Sequence, residues 1–291
     1  MREMPELFDA DLLALRRGRA RGADFLREAV AREVTDRLVE VNRTFLAPAI
    51  VGPRGEVQAE AMRAAGLAEP LLRADAAVLD LAEGAHDLVI HALALHWAND
   101  PVGQMVQSRL ALRPDGLFIG TMFGGETLHE LRAVLAAAEV ETLGGLSPRV
   151  APMGEIRDLG GLLQRAGFAL PVADAERFDV TYATPLDLMR DLRAMGETNA
   201  LADRHRAPVP RRLFLPRHLP LPCWAMWARR ARSSGPSAWA SLAPGRPMRG
   251  QPIRVRRQPP SSDLSKFERV DAPFCASLSL SLIHISEPTR L

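Results

Sequence analysis

The sequence predicts an α/β protein built on a mostly parallel, doubly wound sheet, and three observations carry that prediction. Residues 87–95 (Asp-Leu-Val-Ile-His-Ala-Leu-Ala-Leu) form a nearly continuous apolar run, which suits a strand buried on both faces and hence a parallel sheet. Strand-like and helix-like segments alternate on either side of it, the pattern that lays helices over both faces of a sheet. Between one helix and the next strand-like run stands Arg113-Pro-Asp-Gly116, with turn residues in a favoured order.

The elements follow in chain order. From Asp9 to Val41, the residues Leu12, Leu15, Phe25, Leu26, Val30, Val34, Leu38 and Val41 recur at helical spacing among charges. One or two amphipathic helices therefore open the chain. Phe45 to Val51 is short, apolar and strand-like, and Gly52-Pro-Arg-Gly55 breaks it. Gln58 to Leu72, rich in Ala, Glu and Arg, reads as helix. After the 87–95 strand come a helix from Val102 to Leu112, the turn, and a strand from Leu117 to Met122. Glu126 to Val140 and Ile156 to Ala166 are helical, the second closed by Gly167 at a C-cap position. Phe178 to Ala183 is strand-like, and Leu186 to Met195 is a helix stopped at Gly196. Ligands of such sheets sit beyond the carboxyl ends of the strands. The loops Gly52–Gly55, His96–Pro101 and Phe123–Thr127 are therefore the ones to inspect.

Composition narrows the function class. The 291 residues are 25% charged and 47% hydrophobic, with a formal net charge of +2. No apolar run approaches the roughly 18 residues of a membrane span, and residues 1–8 lack an apolar signal core, so the expected address is cytoplasmic. Nearly all the cations are arginine, with Lys266 the single lysine. That pattern and the balanced charge argue against a nucleic-acid partner. Cys223 and Cys275 form neither a disulfide framework nor a metal site. Three regions are expected: N-terminal helices over 1–45, the α/β domain over 46–205, and a tail over 206–291. From Pro208 onward prolines recur and no period of 3.6 or 2.0 survives, so the tail reads either as a disordered basic segment or as sequence read out of frame. Its end, Leu280-Ser-Leu-Ile-His-Ile-Ser-Glu-Pro-Thr-Arg290, resembles the translation of a transposase sequencing adapter.

Several strings carry a family resemblance. Asp75 to Asp100, with Leu112-Arg-Pro-Asp-Gly-Leu-Phe-Ile-Gly120, is similar to class I S-adenosylmethionine (SAM)-dependent methyltransferases. Four further strings narrow it to one branch: Leu95-His-Trp-Ala-Asn-Asp100, Met122-Phe-Gly-Gly-Glu-Thr-Leu128, Gly144-Gly-Leu-Ser-Pro-Arg149 and Met195-Gly-Glu-Thr-Asn199. That branch holds the respiratory complex I assembly methyltransferase-like proteins, relatives of the biotin-pathway malonyl carrier-protein methyltransferase. The match runs from about Leu7 to Arg212.

The resemblance implies a Rossmann-like fold, SAM as cofactor, and either methyl transfer to an unidentified acceptor or an assembly role on a complex I subunit, by binding or hydroxylation. It also implies roles by position. Asp75 and Ala76 match the adenine-contacting residues after the family's third strand. His96 and Trp97 match the segment after its fourth, where the methyl group points. Phe123, Gly124, Gly125 and Glu126 match the loop after its fifth, on the acceptor side. Gly52 and Gly55 stand where the family carries a longer glycine-rich loop. The acid that normally ends the second strand, and holds the ribose hydroxyls, has only Glu69 as a counterpart. The family's last strand, antiparallel and inserted near the end of the sheet, is expected to be missing.

Each candidate has a plainer reading beside it. Gly52 and Gly55 fit an ordinary tight turn as well as a cofactor loop. His96 and Trp97 could be a packed aromatic pair, although His96 suits a general base near neutral pH. Glu126 is the other candidate acid or base, and helix N-terminal charge explains it equally. His91, inside the strand run, reads as a core position.

Overall fold

The computed structural model describes residues 6–41, 43–169, 171–182, 185–208, 213, 255–257 and 275–286. Helices α1 (Ala10–Arg19) and α2 (Phe25–Glu40) precede β1 (Pro48–Val51), α3 (Gly55–Ala64) and β2 (Leu71–Arg73). Then come β3 (His86–Ala92), a 3-10 turn at Leu95–Trp97, α4 (Pro101–Ala111), β4 (Leu112–Phe123), α5 (His129–Leu143) and α6 (Ile156–Arg165). The last elements are β5 (Pro171–Thr181), α7 (Pro185–Met195), β6 (Val255–Arg257) and β7 (Cys275–Ser286).

Among the described residues these strands form one sheet in the order β2-β1-β3-β4-β7-β5-β6. β2, β1, β3 and β4 run parallel, while β7 is antiparallel to both β4 and β5. Strand alternation sends side chains to two cores. Ile50, Leu88, Ile90, Leu117 and Ile119 meet Leu26, Val30 and Val34 of α2, Met62 of α3 and Leu131 and Leu135 of α5. Their neighbours Ala49, Val51, Val89 and Phe118 face the other way, onto Met105 of α4 and Leu159 and Leu163 of α6. Both faces of the central strands are therefore covered, which is why residues 87–95 read as one apolar run.

The helices end where backbone chemistry ends them. Gly66, Gly167 and Gly196 take φ of +74°, +85° and +80°. Behind each, an amide reaches back five residues: Leu67 to Met62, Phe168 to Leu163 and Glu197 to Leu192. This Schellman closure uses the left-handed residue to satisfy carbonyls the helix leaves open.

Four expectations need correction. The helix expected over 58–72 stops at Ala64, and residues 71–73 are a strand, because Gly66 closes the helix and Pro70 could not have continued it. Arg113–Gly116 is a bulge within β4, not a turn before it: Leu112 pairs with His86 and Leu117 with Leu88, so the register shifts across it. The helix expected from Glu126 begins at His129, after Leu128 takes φ of +55°. Finally, the missing last strand is present. Cys275–Ser286 lies between β4 and β5, and residues 277–283 (Ser-Leu-Ser-Leu-Ser-Leu-Ile) carry the period-two alternation of a strand. It lies in the tail, and its end, Leu280–Ser286, belongs to the adapter-like string. Residues 209–212, 214–254, 258–274 and 287–291, where the irregular tail was expected, lie outside the described residues, as does Ala183.

Candidate functional site

The strand order reverses between β1 and β3, since the chain goes from β1 outward to β2 and then returns to β3 on the other side. Such a switch point opens a crevice at the carboxyl ends of the strands. There Gly52 leaves β1 with φ of +140°, and a Cβ on it would lie 2.4 Å from the Ala92 carbonyl oxygen at the end of β3. Gly55 starts α3, where a Cβ would stand 3.2 Å from Ile50 Cγ2. Both glycines thus answer to close packing of the chain on itself.

Around this point lies a polar cluster in which helices that cap the sheet meet the strand ends. Asp75, two residues past β2, is paired with Arg17 of α1 at 2.6 Å. The Ala76 carbonyl accepts from Gln104 Nε2 at 3.0 Å, and the Oε1 of that amide lies 3.1 Å from His91 Nε2. Gln104 on α4 therefore ties the Asp75 loop to the buried end of β3. Because the Gln104 amide nitrogen donates to Ala76, its oxygen faces His91, and His91 Nε2 carries the proton. Burial pushes the pKa of His91 down to about 4, so the ring is neutral at pH 7.

The segment after β3 is organised around a residue far along the chain. Glu197, fixed by the closure of α7 at Gly196, is buried. Its Oε2 accepts from Trp97 Nε1 and lies 3.3 Å from His96 Nε2, while Oε1 accepts from Arg27 Nη2 at 3.0 Å. Burial pushes this carboxyl's pKa up, but the hydrogen bond and charge of His96 and the charges of Arg27 and Arg17 outweigh it and hold the carboxyl below its ordinary range. Asn99 clamps the Phe8 backbone through both N–H and C=O, Phe8 packs edge-on to Trp97 at 5.1 Å, and Asp100 caps α4. The Leu95–Asp100 string is thus a set of tethers joining β3 to α4, α7 and the N-terminal segment.

Phe123, at the end of β4, lies 4.5 Å from His96 between ring centroids. The Gly124 carbonyl accepts from the Thr127 amide at 2.9 Å, and a Cβ on Gly125 would fall 2.1 Å from Glu155 Oε1. Glu126 is exposed, and so is Ala76. The structure therefore brings Asp75, His96, Trp97 and Phe123 to the strand ends and leaves Glu126 at the surface.

Sequence reasoning missed Arg17, Arg27, Gln104 and Glu197. Glu197 lay in a quoted string, and an acid just after a helix-closing glycine was its one available signal. Glu69 is paired with Arg63 on the exposed surface. The strand that neighbours β1 ends beside Asp75 instead.

The atoms present suit a polar ligand at this place. Among the described residues, the buried donors Arg17 Nε and Nη2 and Arg27 Nε, and the ring nitrogens His91 Nδ1 and His96 Nδ1, have no hydrogen-bond partner. Such atoms are costly unless something pairs with them. Guanidinium N–H groups match a carboxylate, Asp75 matches hydroxyl or amine donors, and ring nitrogens match further donors. Arg54, where the loop is short, is paired with Asp24. Among the described residues no group of three or more His, Cys, Asp or Glu is placed to hold a metal. Nor is any described helix long and apolar enough to cross a membrane.

A doubly wound sheet whose parallel strands are followed by an antiparallel strand inserted near one end is the class I methyltransferase arrangement, and this chain has that fold. In sequence it is similar to proteins named arginine-hydroxylase NDUFAF5 and malonyl-[acyl-carrier protein] O-methyltransferase. The human protein named arginine-hydroxylase NDUFAF5, mitochondrial, is 36% identical over 225 residues, 68% of this chain and 65% of that one. Its zebrafish counterpart is 37% identical over 202 residues, 62% and 63% of the two chains. The malonyl-[acyl-carrier protein] O-methyltransferase of Laribacter hongkongensis is 39% identical over 147 residues, 50% and 48%. The chain spans less than two thirds of the length of these relatives. No protein-family model matches it. Likeness to solved structures is looser: the YcgJ protein of Bacillus subtilis gives a TM-score of 0.42 at 10% identity, over 87% of this chain and 97% of that one. The fold assignment rests on the strand order itself.

Proposed function

We propose that the chain is a SAM-dependent methyltransferase acting on an acceptor that enters beside His96 and Phe123. The observation that carries this is the polar cluster at the switch point, with an acid directly beyond the strand that neighbours β1. In doubly wound nucleotide-binding sheets an acid at that place, about 20 residues beyond the glycine loop, takes the ribose hydroxyls. Topology thus favours the ribose over the adenine as the partner of Asp75. Arg17 and Arg27 would meet the cofactor's carboxylate, with Gly52 and Gly55 shaping the loop beneath it. When bound, SAM supplies an electrophilic methyl group on a sulfonium. The chain's own contribution is to orient the two reactants and exclude water. The reading keeps the cytoplasmic address expected from the sequence.

A second reading has its own support. The relative of greatest matched length described above carries the name arginine-hydroxylase, and Pro53 and Arg54 replace part of the expected glycine loop. An assembly factor that grips a respiratory complex I subunit, by binding or hydroxylation, fits both facts.

Calorimetric titration with SAM separates the two. The first reading expects saturable binding, and Asp75→Ala should weaken it about tenfold, the loss of one hydrogen-bonded charged partner, ~1.4 kcal/mol or more. No heat from a cooperatively melting chain would overturn it. Recovery of a complex I subunit on the immobilised chain would then favour the second.

A further inference from the structure

We infer that Glu197 is the positioning residue of the site: it fixes His96 as the Nε2–H tautomer and leaves the Nδ1 lone pair as the reactive base. This rests on the methyl-transfer reading for the chemistry it serves, but its geometry stands apart from any cofactor.

The proton assignment follows from the partners. Glu197 accepts from the Arg27 guanidinium at 3.0 Å and from Trp97 Nε1, partners that hold it as a carboxylate, which can only accept hydrogen bonds. His96 Nε2, 3.3 Å from Glu197 Oε2, must therefore be the donor. Nδ1 is then the acceptor, buried and without a hydrogen-bond partner among the described residues. An unpaired buried acceptor is costly, and an O–H or N–H donor supplied by the acceptor substrate removes that cost. Burial pushes the His96 pKa down, the Glu197 hydrogen bond and charge push it up, and the Arg17 and Arg27 charges push it down again. The net shift is downward, so the ring is neutral and able to accept a proton at pH 7. His91, also close enough to couple electrostatically, is neutral as well.

The step that this arrangement serves is balanced within the site. In methyl transfer the substrate's O–H or N–H bond would break and its proton would form an N–H bond at His96 Nδ1. The electron pair left behind would form the new bond to the methyl carbon as that carbon's bond to sulfur broke, the pair of the broken bond staying on sulfur, which would leave as a neutral thioether. The imidazolium charge arises 3.3 Å from a carboxylate that is already ionised, which is the role an orienting acid performs in hydrolase triads. Trp97 and Arg27 hold Glu197 in turn, so the acid cannot rotate away. The substrate class is one whose acceptor atom carries a removable proton.

Nitrogen-15 NMR of histidine-labelled full chain tests this without an acceptor. The expected spectrum shows His96 neutral at pH 7, protonated on Nε2 and bare on Nδ1. Glu197→Gln should lower its titration midpoint by about 1–3 units, the effect of losing an opposite charge within 4–6 Å. Glu197→Asp should restore part of the shift. A ring protonated on Nδ1, a charged ring at pH 7, or a Gln variant with unchanged tautomer and midpoint would each overturn the proposal. If the Gln variant does not fold, the wild-type tautomer alone decides it. SAM calorimetry on the same sample separates the outcomes: the expected tautomer without SAM binding leaves the dyad standing and sinks the methyl-transfer reading, while SAM binding with the wrong tautomer does the reverse.

Discussion

Replacing Glu197 by alanine should destabilise the chain severely, and the size of the effect can be worked from its neighbours. Glu197 and Arg27 have side chains 4% and 5% exposed. Removing one partner of a buried ion pair leaves an uncompensated charge and costs about 3–5 kcal/mol. Trp97 Nε1–H and His96 Nε2–H also lose their acceptor, and an orphaned buried donor adds about 1–3 kcal/mol. Relaxation and water entry keep these from adding fully, so we expect a loss of ~4 kcal/mol, against the ~5–15 kcal/mol that holds a typical domain together. Urea unfolding followed by circular dichroism measures it. Adding Arg27→Met removes the stranded charge and fills its space, so the double variant should be more stable than the two single losses predict, with coupling of about 2–3 kcal/mol. A Glu197→Ala loss below about 1 kcal/mol, or strict additivity of the pair, would refute the claim that this network is buried and mutually dependent.

Three further outcomes are expected. His91 has a folded pKa of about 4 against an ordinary 6.5, so its contribution is present above pH 6.5 and is lost as pH falls from there towards 4. Each unit is worth about 1.4 kcal/mol, so melting between pH 7 and 4 should reveal a loss of roughly 3 kcal/mol that His91→Asn flattens; a slope unchanged in the variant would count against it. Gly52→Ala places a Cβ 2.4 Å from a backbone oxygen at φ of +140°, and the strain and overpacking should cost ~2–5 kcal/mol, with an unshifted melting midpoint as the refuting result. Ending the chain after residue 274 removes the strand that pairs with seven residues of β4 and eleven of β5, so the single cooperative transition should broaden or split, whereas equal melting of both chains would make β7 dispensable.

The fold was legible where one local signal dominated. The apolar run at 87–95, the helix-closing glycines Gly167 and Gly196, and the strand at Leu117–Met122 all answer to periodicity or backbone freedom within a few residues. Where two signals overlapped, reading failed: Ala- and Arg-rich residues 58–72 look helical throughout, but Gly66 and Pro70 divide them and β1 recruits Leu71–Arg73 as its neighbour. The strand at Cys275–Ser286 announces itself by alternation alone, and nothing local says where in the sheet such a strand belongs. Of the site, strings such as Leu95–Asp100 marked the neighbourhood without revealing its wiring.

By itself the sequence determined the alternating α/β architecture, the family resemblance and the loops at the strand ends, because these depend on patterns spanning a few residues to a few turns. Only the tertiary structure decided that Asp75 follows the strand beside β1, that Arg17 pairs with it, and that Glu197 reaches His96 across a separation of 101 residues. Those contacts depend on the chain's path through space, and on which buried charges must find partners once water is excluded.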